Sequence, residues 1–177
     1  MDTAKAKTST LEIRTLTGAD AAAFWRLRLQ GLENDPRAFG ESPEEHRRVS
    51  IETTAERLPA QEHGSFVLGA FDGSELIGVA GFHRLERVKF RHKGAIWGVY
   101  VRPEVRGRGI AKRLMSALLD RIRGYKDVDH VLLHVTAGQD AAIRLYASVG
   151  FERIGREKRA FKIGEDMLDQ DQMVLYL

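Results

Sequence analysis

The sequence predicts a single α/β domain in which helices pack on a mixed β-sheet. Three observations lead to this class. Short apolar segments have strand character, longer segments carry an apolar stripe at helical spacing, and breaks rich in glycine, proline and aspartate separate them. The 177 residues are enough for one core, and 43% hydrophobic with 30% charged residues is typical of a globular protein. The predicted order is β-α-α-β-β-β-α-β-α-β-β.

Each element follows from its local pattern. Alternation or β-branched runs predict strands at 11–16, 65–72, 75–85, 94–101, 128–135, 151–163 and 172–177. Apolar spacing predicts helices at 19–32, 42–58, from 107 onward, and at 140–150. Ser42, Pro43 and Glu45 form a capping pattern for the second helix. The turn at 72–74, Asp-Gly-Ser, predicts a hairpin.

The composition indicates where the protein is located and excludes some classes of functional site. Residues 1–10 are polar and read as a flexible tail, with residues 11–177 as one domain. The tail has no apolar secretory region and no run has the length of a membrane span, so a cytoplasmic protein is expected. The chain has no cysteine, which excludes disulfides, thiolate metal sites and a cysteine nucleophile.

The segment 99–114, VYVRPEVRGRGIAKRL, places arginines and lysine at the start of a helix, where the dipole is already positive. A dinucleotide fingerprint is excluded because Lys112 stands where a small third residue is needed. A nucleotide P-loop is excluded because there is no Gly-Lys-Ser/Thr. Two explanations remain. The turn at Gly107 and Gly109 cradles a pyrophosphate on free N–H groups, or it is a solvated basic helix start.

The same residues resemble a family signature. Arg106, Gly109 and Ala111 match the [Q/R]-x-x-G-x-[G/A] motif of the GCN5-related N-acetyltransferases (GNAT). A second segment, LLHVTAGQDAAIRLYASVGFERIG, resembles the next motif of that family, and the similarity in element order runs from about residue 11 to 177. The resemblance implies a GNAT-like fold and acetyl-coenzyme A as co-substrate, without a metal.

The resemblance also implies the binding residues. The cradle would hold the pyrophosphate, and one strand edge would pair with the pantetheine arm as an added strand does. Gln139 stands where many members of the family have Asn. The implied cofactor-binding residues are Val99, Tyr100, Val101, Arg106, Gly107, Arg108, Gly109, Ile110, Ala111 and Gln139.

Acetyl transfer to an amine needs a base, an oxyanion donor and an acid for the leaving thiolate. Without a cysteine, direct attack is the economical mechanism. Tyr146 matches the tyrosine that commonly protonates coenzyme A in the family, although helical spacing also fits a core residue with a satisfied hydroxyl. A backbone N–H of Val99–Val101 would be the oxyanion donor.

The base stays open at this point, and a water relay is one alternative. The candidate side chains are His83, Glu86, His134, Glu41, Glu44 and Glu45. Segments 35–48 and 84–94 are expected to form the acceptor site. The second is basic and fits either attraction of an acidic acceptor or a solvated hairpin tip.

The sequence favours an N-acetyltransferase that acts on a small-molecule amine. The alternatives are a protein N-terminal or lysine acetyltransferase and a coenzyme A-binding module without catalysis. Neither nucleic acid nor membrane is an expected partner, because the net charge is only +3 and aromatic residues do not interleave with the basic loop except Phe90. Whether the chain forms a homodimer is an open expectation.

Overall fold

The computed structural model describes residues 11–58 and 64–177, so the expected tail at 1–10 lies outside the described residues. Seven strands and five α-helices occur in these ranges. The strands are β1 (Leu11–Thr15), β2 (Phe66–Asp72), β3 (Glu75–Arg84), β4 (Lys93–Val101), β5 (His130–Thr136), β6 (Glu152–Ile163) and β7 (Asp166–Tyr176). The α-helices are α1 (Ala21–Asn34), α2 (Pro43–Arg47), α3 (Ile51–Arg57), α4 (Ile110–Arg123) and α5 (Asp140–Ser148).

All seven strands form one mixed sheet in the order β1-β2-β3-β4-β5-β7-β6. The pairs are antiparallel except β4 with β5, which run parallel. That parallel pair is short, because it joins Lys93–Ala95 of β4 to His130–Leu132 of β5 and then ends. The remaining halves of both strands diverge, and the sheet is split at its centre.

A β-bulge lies in the half of β4 that pairs with β3 but not with β5. Val79 of β3 pairs with Tyr100 and Gly81 pairs with Trp97, so Gly98 and Val99 together face Ala80. Gly98 has φ +63°, a conformation that glycine adopts at little cost. The bulge bends β4 at the place where it leaves β5.

Helices cover both faces of the sheet and create two cores. α4 packs on one face through a fully buried stripe in which Leu114, Met115, Leu118 and Ile122 are each 0% exposed. Each such side chain stabilises the fold by about 1.5–3 kcal/mol. α1 packs on the other face, where Phe24 and Leu27 contact β2 and β3 in a separate cluster. The predicted stripe of α4 is thus confirmed.

The observed elements confirm the predicted fold class, with two differences in detail. The expected helix at 42–58 is two short helices, because the chain breaks after Arg48 and Ser50 caps α3. The last strand begins at Asp166 rather than at 172. Its polar first half is held to β6 by cross-strand ion pairs, including Arg156 with Asp171 at 2.6 Å. Apolar pattern alone therefore underestimates this strand.

Candidate active site

The turn before α4 forms an open cradle of backbone N–H groups. Gly107 and Gly109 have φ +77° and +75°, and a Cβ at either position would meet no atom within 4 Å. The first helical hydrogen bond runs from Arg113 N–H to Gly109 O, at 3.0 Å. Within the described residues, the N–H groups of residues 107–112 donate to no backbone acceptor. This arrangement fits an anion with several oxygens.

The charged side chains around the cradle fall into two groups. Arg108, Lys112 and Arg113 are exposed, and they form no ion pair in the described part of the chain. Arg106 differs, because its Nε donates to Val101 O at 2.9 Å and its Nη2 donates to Asp35 at 2.6 Å. Its guanidinium therefore fastens the turn to β4 and leaves the other three to face an anion.

A groove continues from the cradle along the diverging edge of β4. The cradle cavity, about 200 Å³, and the groove, about 290 Å³, share Val101, Arg106, Ala111 and Leu145 in their walls. Val99 to Val101 form one wall. The other walls come from α5 and from the segment that follows α1. Because β5 leaves β4 unpaired here, backbone groups are available to an extended ligand.

The predicted binding residues differ in how they meet this groove. Tyr100 is buried in the α1 core, and its hydroxyl lies 3.3 Å from the Asn34 amide nitrogen. It also lines the groove, where its ring centroid lies 5.4 Å from the Arg106 guanidinium carbon. Ile110 packs in the α4 core, so a binding role for it would use the backbone. Gln139 lines the groove and precedes α5 without capping it through its side chain.

The groove ends in a slot of about 90 Å³ between the diverging halves of β4 and β5. Tyr146 of α5 lines both the groove and the slot, and it is 8% exposed. Its hydroxyl makes no hydrogen bond to the residues that the structure describes. Burial raises the pKa of Tyr146 to about 12, so the hydroxyl stays protonated at neutral pH. A tyrosine that serves only the core would usually have a hydrogen-bond partner for its hydroxyl.

His134 lines the same slot from the other face of the sheet. Val131, Leu133 and Val135 of β5 belong to the core beneath α4 and α5. Strand alternation therefore turns His134 toward the face that carries α1, and the side chain is exposed there. An acid at Tyr146 and a base at His134 would act from opposite faces of one slot.

The other base candidates are already occupied or lie elsewhere. Both oxygens of Glu41 are engaged: Oε2 accepts from Arg28 at 3.1 Å, and Oε1 lies 3.3 Å from His46 Nδ1. Glu45 forms the capping box with Ser42. Glu44, also on α2, lies 3.6 Å from Arg47.

The remaining two base candidates border the basic loop between β3 and β4. His83 and Glu86 line a separate cavity of about 510 Å³ there. That cavity shares no lining residue with the groove or the slot. The basic loop, expected to contribute to an acceptor site, therefore lies apart from the predicted chemistry.

Metal ligands and membrane spans are two further features that the described residues bear on. In ranges 11–58 and 64–177, no group of three or more His, Cys, Asp or Glu side chains is placed to hold a metal ion. Among the helices of those ranges, none combines the length and apolar character needed to cross a membrane.

Sequence reasoning missed one residue beside the slot. Arg28 lies on the buried face of α1 with Phe24, Leu27 and Gly31, at helical spacing. An arginine in such an apolar stripe is a signal for a buried ion pair or a ligand contact. The position of Arg28 in this stripe is therefore visible in the sequence.

Known proteins match this chain over most of its length. The model of the "Acetyltransferase (GNAT) family" matches residues 28–151. The chain is 35% identical to N-alpha-acetyltransferase RimI of Mycobacterium tuberculosis over 89% of each chain. It is 31% identical to mycothiol acetyltransferase of Salinispora arenicola over 69% of this chain, but spans only 40% of that protein.

A solved structure agrees with the family match. Ribosomal-protein-alanine N-acetyltransferase from Brucella melitensis superposes with a TM-score of 0.81 at 28% identity, covering 94% of this chain and 99% of that one. The cradle, the split sheet and the match over residues 28–151 lead to one conclusion: the chain belongs to the GNAT acetyltransferase family and is an N-acetyltransferase.

Proposed function

We propose that this protein transfers the acetyl group of acetyl-coenzyme A to the α-amine of a polypeptide. The observation that carries the proposal is the continuous path from the N–H cradle of α4, along β4, to the unpartnered Tyr146 hydroxyl. Enzymes of the family use acetyl-coenzyme A. The path has an anion site at one end and an acid at the other, as such a co-substrate requires.

The residues present fit this co-substrate. Free N–H groups and the cations Arg108, Lys112 and Arg113 suit a pyrophosphate, and open space above Gly109 admits one closely. The unpaired edge at Val99–Val101 suits the amides of the pantetheine arm. Acetyl-coenzyme A supplies an activated thioester carbonyl when it is bound. Gln139 lies where its amide can reach a ligand carbonyl in the groove.

The chain's own groups then divide the proton transfers. His134 removes a proton from the ammonium group of the acceptor on the α1 face, because a polypeptide α-amine, with a pKa of about 8, is still mostly protonated at neutral pH. The free amine forms the new N–C bond, and a backbone N–H of Val99–Val101 stabilises the oxyanion. As the C–S bond breaks, the Tyr146 hydroxyl donates its proton to sulfur, and the second proton that the nitrogen loses restores the hydroxyl through solvent. No cysteine is available to carry the acetyl group between steps.

The names of the relatives support one acceptor class over the other. The sequence favoured a small-molecule amine, and that remains the second candidate because one relative is named mycothiol acetyltransferase. We favour a polypeptide α-amine because the relative that matches 89% of both chains is named an N-alpha-acetyltransferase. The match to the mycothiol enzyme covers less than half of that protein.

An acceptor screen tests the proposed function. Purified protein is incubated with acetyl-coenzyme A and three sets of acceptors: short peptides with free N-termini, N-terminally blocked peptides containing lysine, and small amines. We expect thiol release with the first set and acetylation at the α-nitrogen, located by tandem mass spectrometry. Turnover confined to small amines would contradict the acceptor class, and binding of acetyl-coenzyme A without turnover of any acceptor would contradict catalysis.

Replacing His134 tests the proposed base. We expect His134→Gln to lower kcat/KM by roughly 10- to 100-fold, because a neutral amide cannot accept the proton. The control is His92→Gln, since His92 is exposed in the β3–β4 loop away from the slot. A folded His134→Gln protein with the kcat/KM of the wild type would assign the proton to water or to another group.

A further inference from the structure

A cavity of about 300 Å³ lies on the α1 face of the sheet, beside the slot. We call it the α1–α3 cavity. Its walls combine apolar and charged side chains: Phe24, Arg28, Glu41, His46, Val49, Thr54, Arg57, Leu58, Val67 and Trp97. Trp97 also lines the slot, so the two spaces adjoin at this ring. The cavity therefore borders the slot, and it shares no lining residue with the cradle or the groove.

Arg28 is the unusual residue of this cavity. Its side chain is 13% exposed, and its Nε and Nη2 both donate to Glu41 Oε2, at 3.2 and 3.1 Å. Its Nη1 is buried and donates to no acceptor among the described residues. A buried charged donor without a partner destabilises the fold, so such groups usually serve a purpose.

The neighbours of Arg28 cannot complete its hydrogen bonds. Glu41 is held on its second oxygen by His46, whose Nε2 is in turn fixed 3.0 Å from Trp25 O. The guanidinium also lies 4.9 Å from the Phe39 ring centroid and 5.8 Å from that of Trp97. Aromatic rings and a fixed carboxylate hold its direction, and they leave Nη1 for another oxygen.

The free nitrogen points to the reacting end of the groove. A Cβ built on Gly98 would lie 3.1 Å from Arg28 Nη1. Gly98 belongs to the bulge of β4 and lines the slot together with His134 and Tyr146. A molecule whose amine enters the slot from the α1–α3 cavity would pass beside Nη1.

We infer that Arg28 Nη1 donates a hydrogen bond to a carbonyl or carboxylate oxygen of the acceptor, one that lies next to the reactive amine. The acceptor is then an α-amino acyl group, as at a polypeptide N-terminus, rather than a simple alkylamine or a polyamine. The cation also disfavours a second ammonium group in the cavity. This inference rests on the proposed function. It names the acceptor atom that the enzyme recognises, which is the oxygen next to the reactive amine.

The probes are L-valinamide, an α-amino amide, and isobutylamine, which has the same branched side chain without the carboxamide. Rates are expressed per unprotonated amine, because an α-amine and an alkylamine differ in pKa by about 2–3 units. In the wild type we expect valinamide to have the higher kcat/KM and to bind more tightly by calorimetry, with and without coenzyme A. Equal or weaker binding of valinamide would overturn the inference.

The variant is Arg28→Met, and the matched control is Arg26→Met on the exposed side of the same helix. We expect Arg28→Met to lower kcat/KM for valinamide by roughly 10- to 100-fold, the usual value of a hydrogen bond to a charged group. The loss with isobutylamine should be clearly smaller than the loss with valinamide, and the affinity for acetyl-coenzyme A should stay within threefold of the wild type. Arg26→Met should leave the preference for valinamide unchanged.

Two results in the variant would overturn the inference. Wild-type rates with both substrates would mean that Nη1 does not contact the acceptor. An equal loss with both would mean that it serves the thioester carbonyl or the fold. If Arg28→Met does not fold, Arg28→Lys takes its place, because lysine keeps the positive charge but lacks the paired N–H donors of arginine. The comparison of valinamide with isobutylamine in the wild type needs no variant. If the wild-type protein does not bind acetyl-coenzyme A, the result contradicts the proposed function rather than this inference.

Discussion

Tyr146→Phe is expected to lower turnover by roughly 100-fold or more, the usual scale for loss of a general acid. The change removes one oxygen and keeps the ring, which packs near Phe151 with a centroid separation of 6.2 Å. Because the hydroxyl has no hydrogen-bond partner in the described residues, the free energy of unfolding should change by less than about 1 kcal/mol. Affinity for acetyl-coenzyme A should change little, because the proton matters as charge develops on sulfur.

The measurement is kcat under chemistry-limited conditions, with a melting curve for each protein. Tyr176→Phe is the matched control, since Tyr176 is 69% exposed at the far end of β7. A folded Tyr146→Phe protein with more than half of the wild-type kcat would show that the thiolate leaves unassisted or through water. The raised pKa of Tyr146, about 12, adds a second expectation. Its proton should not titrate in the neutral range of the pH–rate profile.

Gly109→Glu is expected to weaken acetyl-coenzyme A binding by roughly 100-fold or more, because charged hydrogen bonds to several N–H groups are lost together. The side chain would enter the open space above the cradle, and its negative charge would repel the pyrophosphate. A residue other than glycine at φ +75° also adds strain of about 1–2 kcal/mol. Calorimetric titration measures the binding loss directly.

Gly73→Glu separates strain from ligand contact. Gly73 also has positive φ, +61°, and a Cβ there would also meet no atom within 4 Å, but it lies in the β2–β3 turn. We expect this control to lose similar stability and to keep its affinity for acetyl-coenzyme A. In the wild type, that ligand should raise the melting temperature more than ATP–magnesium or NAD does. A folded Gly109→Glu protein with wild-type affinity would exclude the turn as the pyrophosphate site.

Local sequence signals were enough to predict most of the fold. The capping pattern at Ser42, the hairpin at Gly73 and the stripe of α4 are each set by residues within a few positions of one another, and each is observed. The family motifs then located the cradle before α4 and Tyr146 on α5. These features depend on spacing along the chain, which is visible in a single sequence.

The split in the sheet and the use of Arg28 depend on contacts between distant segments. Nothing in the residues of β4 shows that its pairing with β5 stops at Ala95. His134 borders a slot because of the same split. Arg106 matched a binding motif, but the structure commits its guanidinium to Asp35, which lies 71 positions away. Partners so far apart along the chain cannot be paired from a single sequence, and the folded structure is needed to identify them.

The most direct test of direct transfer within one ternary complex is a rapid-quench experiment on the wild-type protein with labelled acetyl-coenzyme A. Without an acceptor, we expect no labelled acetyl group on the protein and no release of thiol. On addition of a peptide with a free N-terminus, thiol and acetylated peptide should appear at the same rate, with the label on the α-nitrogen. A labelled acetyl-enzyme, or thiol release that is independent of the peptide, would contradict the account.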